Sequence, residues 1–218
     1  IMSKFKHIIW DWNGTLLNDA EVCVGVLNCI LTEYGMPEIT LDGYRSEFDF
    51  PVRVFYEKLG FDFLQDSYAS LAERYISAYN TERYSCRLHK DAEKLLEYFG
   101  RRGSRQYILS AYNHSMLEEA VRYFGIYGHF EALYGLGDCY AGGKLEAGRE
   151  LVYQHQLDPA VTLLIGDTVH DSEVADAIGA DCILVAQGHQ SRGKLETDDK
   201  PVADSLSGVM EMALTSFH

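Results

Sequence analysis

The run His7-Ile8-Ile9-Trp10 leads straight into Asp11-Trp12-Asn13-Gly14-Thr15-Leu16-Leu17-Asn18-Asp19, and that junction decides how the chain is read. An apolar run that stops on an acid followed by Asn-Gly is a strand entering a tight turn. It presents Asp11 at the edge of a sheet. Asp-x-Asn also opens an EF-hand calcium loop, which wants glycine at its sixth position and glutamate at its twelfth. Here Gly14 is fourth and Val22 twelfth, so that reading is set aside.

Working outward, apolar runs bounded by turn residues recur at 106–110, 131–135, 161–165 and 182–186, besides the first at 5–10. Helical periodicity fills 91–102, 114–124, 145–156, 170–178 and 206–214. Strands alternating with helices imply βαβ units and a parallel, doubly wound α/β sheet. Residues 19–90 break the rhythm. They read as three or four helices, at Ala20–Tyr34, Val52–Leu59 and Gln65–Tyr79, with a loop at 37–51 and no convincing strand. The simplest organisation is a core of residues 1–18 and 91–218 with a helical domain, 19–90, inserted after the first strand.

Composition narrows the function classes. At 218 residues with 47% hydrophobic content, the chain can bury a substantial core. A formal net charge of −14 argues against nucleic acid or an anionic membrane as partner. Cys23, Cys29, Cys86, Cys139 and Cys182 are odd in number and lack CxxC spacing. Free thiols in a reducing cytoplasm are therefore expected, rather than zinc or a disulfide framework. No apolar run reaches membrane-spanning length, and the N-terminus carries no signal-peptide core. A monomer or homodimer is expected.

In an open parallel sheet, ligands bind beyond the carboxyl ends of the strands. The first strand is followed by Asp11, Asn13, Gly14 and Thr15, and the run Gln106–Leu109 by Ser110. Ala132–Leu136 leads to a loop with Gly142-Gly143 and then Lys144; Val161–Gly166 is followed by Asp167 and Asp171. Carboxylates from separate strands suit a hard cation such as Mg²⁺. A hydroxyl and an ammonium beside it suit a phosphoryl group.

In this order, DWNGTLLND, Ser110, Lys144 and GDTVHD resemble the four motifs of the haloacid dehalogenase-like (HAD) hydrolase superfamily. The inserted helices resemble the cap of its phosphoglycolate phosphatase-like branch. The resemblance implies a Rossmann-like core and a Mg²⁺-dependent phosphatase acting on a small phosphorylated metabolite, phosphoglycolate or a sugar phosphate. It implies Asp11 as nucleophile, and Asp11, the Asn13 carbonyl, Asp167 and Asp171 around the metal, with Asp171 holding metal-bound water or orienting Lys144. Ser110, Lys144 and Thr15 would serve the substrate side, Lys144 also restraining Asp11 and Thr15 helping to fix the turn.

One residue departs from that pattern. The family's phosphatases usually carry an aspartate two residues after the nucleophile, as the general acid and base, and this chain has Asn13. A carboxamide neither gains nor loses a proton near neutral pH, and such help is worth ~10²–10⁴-fold. A phosphatase slowed at its acid–base step is therefore expected, with Asn13→Asp restoring at least tenfold. The alternatives are metal-free haloacid dehalogenation, against which GDTVHD speaks, and phosphate binding without turnover. His170 reads as a residue beside the site, the cap aromatics Tyr44, Phe48, Phe50, Phe55 and Tyr56 as packing residues, and Arg45 and Arg53 as candidates to meet a substrate anion.

Overall fold

The computed structural model describes residues 4–64, 66–137 and 143–215. The chain opens with β1 (His7–Trp10), a short β2 (Leu17–Asn18), then α1 (Ala20–Glu33), α2 (Leu41–Glu47), α3 (Val52–Leu59) and α4 (Tyr68–Glu82). It returns through β3 (Arg87–Leu88), α5 (Ala92–Arg101), β4 (Arg105–Asn113), α6 (His114–Tyr123) and β5 (Ala132–Leu136). It closes with α7 (Lys144–His155), β6 (Thr162–Gly166), α8 (Val169–Ile178), β7 (Asp181–Val185), α9 (Arg192–Leu195), β8 (Val202–Ala203) and α10 (Leu206–Thr215).

The main sheet has the order β5-β4-β1-β6-β7-β8, and every pairing in it is parallel. β1 lies between β4 and β6, so all four of its residues are buried and it shows no polar alternation. The two faces still separate residue by residue. Ile8, Trp10, Ile108, Ile165 and Val185 join one core cluster; Ile9, Tyr107, Leu109, Leu164 and Leu184 join the other. Trp10 donates its indole N–H to Gln106 Oε1 at 3.0 Å, which satisfies a buried donor between β1 and β4.

Helices α1–α4 build a third apolar cluster, with Leu27, Leu31, Phe55 and Leu71 at its centre. Two expectations for this region need correction. The stretch 37–51 contains α2, capped by Thr40, whose hydroxyl accepts from Gly43 N at 3.1 Å. Residues 19–90 also contain a strand: β3 pairs antiparallel with β2, making a two-stranded ribbon where the chain leaves and rejoins the sheet. Two-residue strands are too short to show a period. β8 at the sheet's far edge went unseen for the same reason.

A polar latch joins the α2–α3 region to the loop after β7. Arg45 donates to the carbonyls of Gln187 (2.9 Å) and Gly188 (2.8 Å), and Ser191 N donates back to Arg45 O at 2.9 Å. Lys194 donates to Phe48 O at 2.6 Å and pairs with Asp49 at 3.0 Å.

Candidate active site

Three neighbouring strands bring the site together, Ser110 lying within β4 rather than after it. β1 delivers Asp11 and Asn13, β4 delivers Ser110, and β6 delivers Asp167, with Asp171 in the first turn of α8. Lys144 is the first residue of α7; Gly142 of the preceding loop lies outside the described residues. Asp11, Asn13, Ser110, Lys144, Asp167 and Asp171 all line one cavity of about 410 Å³. That volume falls in the range of small-molecule sites.

Lys144 is the hub. Its Nζ lies 2.5 Å from Asp11 Oδ1 and 2.5 Å from Asp171 Oδ1. The other oxygen of Asp171 accepts from Thr168 N (3.0 Å), Thr168 Oγ1 (2.7 Å) and Asp167 N (3.2 Å), so Asp171 caps α8 and orients the lysine at once. Burial alone would lower the Lys144 ammonium; Asp11 and Asp171 outweigh it and hold it raised. Burial would raise Asp171, and Lys144 with the Thr168 donors keeps it low instead. Asp11 is different: burial pushes it well above the carboxylate range, Lys144 pulls it back only in part, and Asp171 and Asp167 add repulsion. Asp167 is also raised, chiefly by burial.

Thr15 was expected on the substrate side and as a residue fixing the turn. It is fully buried, and it is not among the residues that line the cavity. Its hydroxyl donates toward Asp11 Oδ2 (3.2 Å) and Asp167 Oδ1 (3.0 Å), bracing the two acids. Ser110 lines the cavity, with its Oγ accepting from Tyr112 N at 3.1 Å. Neither Arg45 nor Arg53 lines the cavity: the first is spent on the latch, the second on Glu57 at 3.0 Å. His170 does line it, with its ring 5.0 Å from that of Phe50 and Nδ1 2.9 Å from Glu173.

Two glycines enclose Asp167. Gly14 has φ +77°, and a Cβ there would lie 2.2 Å from Asp167 Oδ2; at Gly188 a Cβ would lie 2.1 Å from the same oxygen. Either methyl would displace the acid. The residue after Gly188 then donates its backbone N–H to that oxygen at 2.6 Å.

That residue, His189, was missed from the sequence, as was Asp19. Their imidazole and carboxylate meet at 3.2 Å, and both line the cavity. Asp19 also accepts from Asn13 Nδ2 (2.7 Å), Tyr79 OH (2.7 Å) and Gly14 N (2.9 Å). Burial favours the uncharged form of both, but the pair wins: Asp19 is held low by His189, and His189 is raised to about 9 by Asp19, with Asp167 and Asp11 assisting. Cys23 completes a cluster with these two, but burial pushes its thiol well up, which disfavours the thiolate a soft metal needs. The signal for His189 was available: Gln187-Gly188-His189 follows the last long apolar run just as Asp11 follows the first.

Asp11, Asp167 and Asp171 bring carboxylate oxygens within 4.8 Å of one another, all buried. One ammonium faces three acids. An all-oxygen donor set with surplus negative charge suits a hard divalent cation.

Comparisons with known proteins bear on this site. The family model described as haloacid dehalogenase-like hydrolase matches residues 8–185. A 5'-nucleotidase of Pseudomonas aeruginosa is 28% identical over 196 residues, covering 88% of this chain and 87% of that one. A haloacid dehalogenase-like family protein from Streptococcus pneumoniae superposes with a TM-score of 0.79 at 21% identity, over 96% of this chain and 99% of that one. A predicted phosphoglycolate phosphatase from Haemophilus somnus superposes with a TM-score of 0.80 at 17% identity, over 97% and 99%.

Proposed function

Since the chain belongs to the haloacid dehalogenase-like hydrolase family, we propose that it is a Mg²⁺-dependent phosphatase that hydrolyses a small phosphomonoester through a phosphorylated Asp11. Residues 19–90 serve as a cap over a core of 1–18 and 91–218. The observation that carries this reading is Lys144 bridging Asp11 and Asp171 in a cavity also lined by Asp167 and Ser110. The 5'-nucleotidase relative supports a phosphomonoester as substrate. Free Cys23, Cys29, Cys86 and Cys182 suit a reducing cytoplasm.

Asp11, Asp167, Asp171 and the main-chain oxygen of Asn13 would hold the ion, which when bound neutralises phosphoryl oxygens and keeps Asp11 ionised. Lys144 fixes Asp11 for in-line attack, and Ser110 with Lys144 offers donors to the phosphoryl oxygens. Asp11 attacks phosphorus, the bond to the ester oxygen breaks, and water then returns Asp11 and inorganic phosphate. Asn13 supplies no proton to the leaving oxygen, so turnover is slow for basic leaving groups. Phosphate release across small phosphomonoesters with Mg²⁺ tests the reading, with Asp11→Asn as control. Release that persists in Asp11→Asn, or is absent from every ester, refutes it.

A further inference from the structure

The cavity has two unlike ends. At the strand ends lie the acids and Lys144. The helical insert contributes rings: Phe48, Phe50, Tyr56, Tyr68, Tyr75 and Tyr79. Phe48 is the hinge of this cluster, stacked on Tyr44 at 5.0 Å and meeting Phe50 and Phe55 edge-on at 5.4 Å each. Among the described residues lining the cavity, Lys144 is the only lysine or arginine, and two carboxylates already hold it. The two imidazoles present, His170 and His189, each face a carboxylate of their own, Glu173 and Asp19. A second anion on the substrate therefore meets no spare cation, and desolvating it there is unfavourable. A flat uncharged ring gains both area and ring contacts.

The missing acid points the same way. Asn13 has its amide committed to Asp19 and Tyr79, and it has no proton to give. An aliphatic alkoxide is a poor leaving group without one, its alcohol being roughly as weak an acid as water at about 15.7. A phenolate leaves far more readily, phenols being near ~10.

Resting on the phosphatase reading above, we infer that the substrates of this site are aryl phosphomonoesters with an uncharged ring. The ring lies among the cap aromatics, and the leaving oxygen departs as a phenolate that takes its proton from water. Asp11 forms the new bond to phosphorus as the aryl–oxygen–phosphorus bond breaks, and the electron pair leaves with the aryl oxygen. Hydrolysis of the phosphorylated Asp11 is common to every ester, so kcat/KM isolates the selective step.

Four esters separate the components, with the purified full chain and Mg²⁺: phenyl, 4-carboxyphenyl, benzyl and ethyl phosphate. Benzyl should exceed ethyl by about tenfold or more in kcat/KM, at similar leaving-group basicity, because the ring is buried. Phenyl should exceed benzyl by ~10²-fold, and Asn13→Asp should narrow that gap by about tenfold or more. Phenyl should exceed 4-carboxyphenyl by about tenfold. Phe48→Leu should shrink the benzyl-to-ethyl ratio through KM. Equality within any of these pairs, or a gap unchanged in Asn13→Asp, overturns the inference. If no ester is turned over, the phosphatase reading fails, and calorimetry with phosphonates decides the ring preference separately. Phenylphosphonate that binds no tighter than methylphosphonate overturns it there as well.

Discussion

Asn13 donates its side-chain amide to Asp19 Oδ2 at 2.7 Å, tying the turn after β1 to the residue that precedes α1. Replacing that amide by a carboxylate sets two acids against each other in a buried place. Asn13→Asp is therefore expected to do two opposite things. Phosphate release from alkyl esters should rise by at least about tenfold, while the ion-free fold loses about 2 kcal/mol from the lost charge-assisted bond. Steady-state kinetics and urea unfolding read the two effects; unchanged turnover would refute the acid–base reading of this position.

His189 carries a pH signature. Its imidazolium is raised to about 9 in the fold, despite burial, by Asp19 with help from Asp167 and Asp11. A histidine raised above its unfolded value near ~6.5 contributes fully below that pH and loses its contribution as pH climbs through the folded value. Stability of the EDTA-treated protein should fall by about 3 kcal/mol between pH 6 and pH 9.5 from this group. Urea midpoints across that range should slope down in the native chain and flatten in His189→Gln. Equal slopes would sink the assignment.

Among the described residues, Lys144 is the one ammonium set against Asp11 and Asp171, at 2.5 Å from each. Lys144→Met strands both acids in a buried site, a change that costs about 3–5 kcal/mol. Mg²⁺ should recover part of that loss, since it supplies the missing charge. Thermal melts with and without Mg²⁺ check this, and a variant as stable as the native chain in EDTA contradicts it.

Gly188→Ala places a methyl where Asp167 Oδ2 now sits, 2.1 Å from the would-be Cβ. The far-UV spectrum should stay native while Mg²⁺ no longer raises the melting temperature. Phosphate release should drop by ~10²-fold, the penalty for displacing a reacting or ligating group by about an ångström. Native-like stabilisation by Mg²⁺ in this variant would show that Asp167 is not the acid that holds the ion.

Long buried strands and their flanking helices were legible in the sequence because apolar runs and 3.6-residue periods carry their own signal. Asp11 and Asp167 were legible because each follows such a run, with Asp171 four residues on. What escaped lay below that resolution: β2, β3 and β8 are two residues long, and α2 begins at Thr40 inside a polar stretch with Gly43 in its first turn. Thr15 was expected, from the family resemblance, on the substrate side and as a residue fixing the turn. Only the β1–β6 pairing shows that its hydroxyl lies between Asp11 and Asp167. The Asp19–His189 contact joins segments 170 residues apart, and no local pattern announces it.

Within the latch, Arg45 grips the carbonyls of Gln187 and Gly188, and the next residue, His189, donates its backbone N–H to Asp167. Whatever tilts α2 and the Phe48 segment therefore tugs on the peptide bonded to that acid. A displacement of α2 would thus reach Asp167 through a few backbone carbonyls rather than across the cavity between them.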